Sequence, residues 1–406
     1  MRNTTPLLRG MTQARYGRRD MLRFSGLTAA GLALSACGVS GQGQKTVAAD
    51  DFWQGKKETG NLTFANWPLY IDPERTPLKK FTEATGITVD YREDVQDVAA
   101  FAGKLQPQLA AHDSTGYDMF VLTYGIELAR FLALGYLAPL DQSRMPNFTA
   151  NLGEAYRQNS FDPGCRFTAP YASGITGIAY NPKYVKREIT SIADLWDPAF
   201  EGKVGMMSDA QEIANFGLLL NGVDPATSTE KDWQDAAAKL QQQRDDGIVR
   251  AYYAQDYVQP LTNGDVWLTM AWSGDIYQQN ASAGTDLEFV VPKEGATIWT
   301  DVMCIPTTSE APVDSLKLID FLYRPDIAAE LTEYITYIPP VPETQNVIRE
   351  QAQQASGDKR KELLELAGSP MVFPTEEEYS RLHNYVSVKP GKESSFTNVF
   401  HAITQA

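Results

Sequence analysis

The chain has 406 residues, with 36 Lys plus Arg against 51 Asp plus Glu and a formal net charge of −15. An acidic balance of this kind excludes a nucleic-acid partner, which calls for a basic face. Beyond the N-terminal segment no apolar run is long enough to span a bilayer, and the length suits two ordinary lobes or one large domain.

The first readable element is a signal. Tyr16-Gly17-Arg18-Arg19 opens a charged stretch, a short apolar run starts at Phe24, and Leu34-Ser35-Ala36-Cys37 closes it. This is the layout of an export signal over 1–36, too short and too rich in Gly and Ala for a permanent span. Arg18-Arg19 resembles a twin-arginine (Tat) signal. The last four residues resemble a bacterial lipobox, so Cys37 is the expected lipidation site and first mature residue, tethered outside the cytoplasm. Residues 37–60, rich in Gly, Gln, Lys and Asp, are read as a flexible tether.

From Asn61 strands and helices alternate. Strands are predicted at 62–65, 87–91 and 118–122. Helices are predicted at 78–85, stopped by Gly86, at 98–112, perturbed at Pro107, and at 125–135. A second series follows Pro170, with strands at 175–180, 203–207, 248–253, 266–271 and 287–291. Its helices are predicted at 191–196, 210–220, 229–244 and from Gly274 onward. A strand at 301–305 and helices at 314–323 and 325–334 follow. The remainder is predicted mostly helical, with a charged amphipathic segment over 349–367. This is the βαβ rhythm of an α/β protein, each sheet flanked by helices. Two such series predict two lobes with a ligand cleft between them, closing by hinge motion. Lobe one is drawn over 61–168 plus 301–340, and lobe two over 169–300 plus 341–406.

Cys165 and Cys304 remain after the lipobox. In an exported protein they permit a disulfide; two buried thiols are the alternative. No Cys or His stands at metal-ligand spacing, and no cofactor or metal is expected.

Several segments carry a resemblance. Asn66-Trp67-Pro68-Leu69-Tyr70-Ile71, Tyr117-Asp118-Met119, Pro170-Tyr171 through Gly174, Gly177 and Asn181, Ser191 through Asp197, Trp272-Ser273-Gly274-Asp275, and Pro292-Lys293-Glu294-Gly295 through Trp299-Thr300-Asp301 occur in order. Together they resemble bacterial spermidine/putrescine-binding proteins, the solute-binding subunits of ABC-type polyamine importers. The resemblance implies a monomeric two-lobed periplasmic-binding-protein-like fold, a polyamine ligand and membrane ABC permease subunits as partners.

The residues suit that ligand. Polyamines are methylene chains carrying ammonium groups, so a site needs carboxylates for the charges and aromatic walls for the methylenes. Trp67 and Tyr70 follow the first strand, where ligands bind in open α/β sheets. Asp209 and Glu212 are spaced to share a helix face, although a capping box is the competing reading. Trp272 and Asp275 follow another strand, and Asp275 could equally cap the next helix. Trp299 and Asp301, two apart in a strand, point the same way. The resemblance adds Tyr337 and Tyr124 as wall residues. Pro68 and Leu69 depart from the family pattern and remove a hydroxyl and an acid. The alternative ligand is ferric ion or another cation, for which Tyr252-Tyr253 is the candidate pair. An exported enzyme is disfavoured, because Gly-x-Ser-x-Gly and His-Glu-x-x-His motifs are absent from the sequence.

Overall fold

The computed structural model describes residues 49–386, 388 and 391–405. Arg18, Arg19, Cys37 and residues 38–48 of the expected tether lie outside that range. The part of the tether within it is packed. Phe52 and Trp53, in the helix Ala49–Trp53, are buried in the main core, and Trp53 Nε1 donates to the Pro139 carbonyl at 2.8 Å. Two adjacent aromatics, hidden among polar neighbours, override the tether composition there.

Ten strands form one sheet: β1 (Asn61–Ala65), β2 (Thr88–Arg92), β3 (Met119–Thr123), β4 (Thr168–Tyr180), β5 (Val204–Met207), β6 (Val249–Tyr253), β7 (Leu268–Trp272), β8 (Glu288–Val290), β9 (Ala296–Cys304) and β10 (Leu382–Asn384). The order is β2-β1-β3-β9-β4-β7-β5-β6, with β8 on β4 and β10 on β9. Strands β2-β1-β3 pair in parallel, and so do β7-β5-β6. The long strands β9 and β4 join the two parallel sets, pairing antiparallel with β3, with each other and with β7. Helices cover the sheet, and the three larger apolar cores lie between helices and strands.

Boundaries follow local chemistry. The helix Thr76–Thr85 ends at Gly86, whose φ of 78° only glycine adopts freely. The helix Ala210–Leu220 matches its sequence pattern residue for residue. Strand β4 begins seven residues before its expected start. Pro170 hid this extension, but the register shifts between Pro170 and Ala172, and such an irregularity accommodates a proline in a strand. Strand β9 likewise begins at Ala296, ahead of the expected 301.

The tail is shared between cores. Helices Thr344–Gln354 and Gly357–Gly368 pack Ile348, Leu363 and Leu366 against Ala329 of the helix Pro325–Ile335. The last helix, Glu393–Thr404, instead packs Phe396 and Phe400 beside Trp233 in the core around β5 and β7. The tail thus contributes to two cores.

Cys165 and Cys304 are separate buried thiols and form no disulfide. Cys165 Sγ donates to the Tyr156 carbonyl and Cys304 Sγ to the Val302 carbonyl. Burial, followed by the Asp162 carboxylate, pushes both thiols up, Cys165 to about 12.

Candidate functional site

The carboxyl ends of the parallel strands carry the site. Trp67 and Tyr70 follow β1, Thr123 ends β3, Glu212 lies in the helix after β5, and Trp272 ends β7. The crossing strand β9 brings Trp299 and Asp301, whose side chains share a face as period-2 geometry requires. Three acids result, each tied to the aromatic cluster.

Asp301 is 3% exposed. Its Oδ1 accepts from Thr123 Oγ1 at 2.5 Å and its Oδ2 from Tyr70 Oη at 2.6 Å. Asp275 accepts from Tyr337 Oη on Oδ1 at 2.9 Å and from Tyr257 Oη on Oδ2 at 2.7 Å. Asp275 stands in the first turn of the helix Ser273–Ala283, yet its side chain turns to these two phenols. Glu212, also 3% exposed, accepts on Oε1 from Thr176 Oγ1 at 3.0 Å, from Trp272 Nε1 at 2.9 Å and from Tyr385 Oη. Its Oε2 is buried without a partner among the described residues.

Every donor to these acids is neutral. A hydroxyl or indole stabilises a carboxylate less than a cation does, so burial dominates. It raises Glu212 to about 7 and Asp301 to about 6, and it raises Asp275. The three hydroxyl- or indole-bonded carboxylates therefore form a desolvated negative site.

Aromatic rings connect them. Tyr70 stacks on Tyr171 at 5.8 Å and 8°, and lies 6.2 Å from Tyr337 and 6.4 Å from Trp67. Trp299 meets Tyr337 edge-on at 4.8 Å. Glycines make room. A Cβ on Gly174 would lie 2.2 Å from the Trp299 ring, and one on Gly274 2.3 Å from the Tyr337 ring. The indole nitrogens of Trp67 and Trp299 are buried without partners among the described residues.

The structure thus brings together Trp67, Tyr70, Glu212, Trp272, Asp275, Trp299, Asp301 and Tyr337. Asp209 stands apart. It is exposed and caps its helix, accepting from the backbone of Gln211 and Glu212. The capping reading holds for Asp209, while Glu212 turns inward instead of completing a box. Tyr124 is also outside. It is buried in another core, stacked on Phe161 at 5.2 Å, with Thr168 at 3.2 Å from its hydroxyl. Tyr252 and Tyr253 lie on β6, the last strand in the order, and bond to none of the three acids. Leu69 adopts a φ of 60° with its side chain 64% exposed, so it turns away from the acids.

Sequence reasoning missed Thr123, Tyr171, Thr176, Tyr257 and Tyr385. Tyr171 stood inside a quoted segment, and its phenol donates to the Tyr70 carbonyl at 2.6 Å. Tyr385 arrives from the tail, where no pattern marked it.

Residues 78–356 match the family described as bacterial extracellular solute-binding protein. The chain is 32% identical over 309 residues to the spermidine/putrescine-binding periplasmic protein of Escherichia coli, spanning 76% of this chain and 83% of that one. It is 29% identical over 309 residues to the putrescine/agmatine-binding protein of Pseudomonas aeruginosa, covering 71% and 80%. In fold it resembles a spermidine/putrescine ABC transporter substrate-binding protein from Streptococcus pneumoniae, with a TM-score of 0.70 at 24% identity, covering 85% and 98%.

Proposed function

We propose that this chain, which belongs to the family of bacterial extracellular solute-binding proteins, captures a polyamine and delivers it to an ABC permease. One observation carries the reading: three carboxylates, the buried Glu212 and Asp301 and the half-buried Asp275, are hydrogen-bonded only to neutral groups and framed by aromatic rings. A buried carboxylate without a cation is costly, and an ammonium of the ligand removes that cost. The methylenes between ammonium groups lie against Trp67, Tyr70, Trp299 and Tyr337, which add cation–π attraction.

The mechanism is capture, closure and release, with no covalent step. Strands β4 and β9 join a lobe over 61–168 plus 301–340 to one centred on 169–300, and closure brings their acids onto one ligand. The export signal and Cys37 support a lipid-anchored protein working outside the cytoplasm.

The test is titration calorimetry on the chain from residue 40 with putrescine and spermidine, alongside melting curves. Binding in the micromolar range or tighter, with a rise in Tm that grows with ligand concentration, supports the reading. Flat heats and unchanged melting across both amines overturn it.

A further inference from the structure

The three acids are not equivalent. Asp275 and Asp301 each spread two donors over two oxygens, one apiece, so each oxygen keeps a free lone pair. Glu212 instead gathers all three donors on Oε1 and leaves Oε2 bare. The third donor, Tyr385, comes from beyond the segment that matches the family, residues 78–356.

Tyr385 is delivered by a built element. Strand β10 pairs in parallel with β9 through Leu382–Ala296, His383–Thr297 and Asn384–Ile298, beside the part of β9 that β3 does not reach. Gly295 has a φ of 101°, and a Cβ there would lie 2.7 Å from the Arg381 carbonyl, so the close approach of this segment requires glycine. The Val386 amide donates to Asn215 Oδ1 at 3.2 Å, which pins the segment to the helix that carries Glu212.

We infer that Tyr385 is a positioning residue that makes the site directional: it saturates Glu212 Oε1, so Glu212 seats a primary ammonium but not a guanidinium. This rests on the polyamine reading above. An ammonium takes one acceptor per N–H, so the bare Oε2 of Glu212 can accept one of its three bonds without the other oxygen. A guanidinium gains its strength from two parallel N–H bonds to both oxygens of one carboxylate. Asp275 and Asp301 can accept that fork, whereas Glu212 cannot. A ligand with one guanidinium end therefore binds in one orientation, and a ligand with two has none.

The experiment compares putrescine, agmatine and 1,4-diguanidinobutane by calorimetry on the wild-type chain and on Tyr385→Phe. All three are dications with the same four-carbon spacer, so charge alone does not separate them. We expect agmatine to bind at least about tenfold more tightly than diguanidinobutane, the factor for one lost charge-assisted hydrogen bond. Tyr385→Phe removes one of the three donors that hold Oε1 and loosens the carboxylate against the remaining Thr176 and Trp272, and that gap narrows by about threefold or more. A merely structural role for Tyr385 would weaken all three ligands together and leave the ratio fixed. Equal binding of agmatine and diguanidinobutane to the wild type, a comparison that needs no variant, overturns the inference while the polyamine reading stands. An unchanged ratio in a folded Tyr385→Phe does the same. Failure of all three ligands to bind removes the polyamine reading and this inference with it.

Discussion

Asp301 shows how a single residue can serve binding at the expense of stability. Its carboxylate is buried, its two partners are hydroxyls, and burial raises it to about 6. Asp301→Asn keeps the shape and an acceptor for Thr123, while its amide can donate to the Tyr70 oxygen. The substitution removes a desolvated charge from the folded state, so melting of the ligand-free protein is expected to hold or rise. Amine binding loses the charge partner, and the cost at a buried, hydrogen-bonded pair is about 2–5 kcal/mol, roughly 30-fold or more in Kd. Calorimetry and melting curves on one preparation check both signs; a variant that binds as tightly as wild type removes Asp301 from the ligand contacts. The pair Asp209 and Glu212 teaches the limit of spacing arguments at this scale. Both stand at the start of one helix, and either could cap it or reach inward. Asp209 caps because its short side chain sits at the N-cap position and finds two amides. Glu212, longer and set against Thr176 and Trp272, reaches inward instead.

At the scale of elements, the crossing of β4 and β9 holds the aromatic wall in place. Gly174 on β4 faces Trp299 on β9 in register, and the indole covers the glycine Cα. In Gly174→Ala the methyl collides with a rigid ring held between backbone and Tyr337, so the indole must shift. Overpacking of this kind costs about 1–3 kcal/mol, read as a lowered urea midpoint, and a displaced Trp299 also weakens the amine complex. Unchanged stability and affinity would mean that the ring moves freely and is not a fixed wall. Most elements of this region were legible in the sequence, because β1, β3, β5 and β7 follow apolar patterning and their C-terminal ends carry the aromatics and acids. Two features were not. Pro170 masked the first half of β4, since a proline inside a strand reads as a boundary. The tail segment with Tyr385 has a three-residue strand and no periodic pattern, and only pairing with β9 specifies its place. Thr123, Thr176 and Tyr257 were illegible for another reason: a hydroxyl acquires a role only from the acid it meets in three dimensions.

Across the whole molecule the three acids couple folding and binding to pH with opposite signs. In the unfolded chain Asp and Glu ionise near their ordinary values, about 4. In the folded chain burial holds Glu212 at about 7 and Asp301 at about 6, with Asp275 raised as well. Between the two sets of values the folded state binds more protons, so ligand-free stability falls as pH rises through that window and levels off above about 7. Binding runs the other way. An ammonium needs the ionised carboxylates, so affinity grows as pH rises from 5 to 8 and stays level until the amines themselves lose protons near 10. At pH 5 a group with a folded value of about 7 is about 1% ionised, and the complex must expel that proton. A polyamine is therefore expected to bind at least about tenfold more weakly at pH 5 than at pH 8, each pH unit below such a value costing up to tenfold. Near pH 6 binding should release protons, seen as observed heats that differ between buffers of low and high ionisation enthalpy. Heats that are the same in both buffers, together with a Kd constant over this range, would mean that these acids are already ionised without the ligand. Capture would then depend on ring contacts and closure instead of on the neutralisation of buried charge.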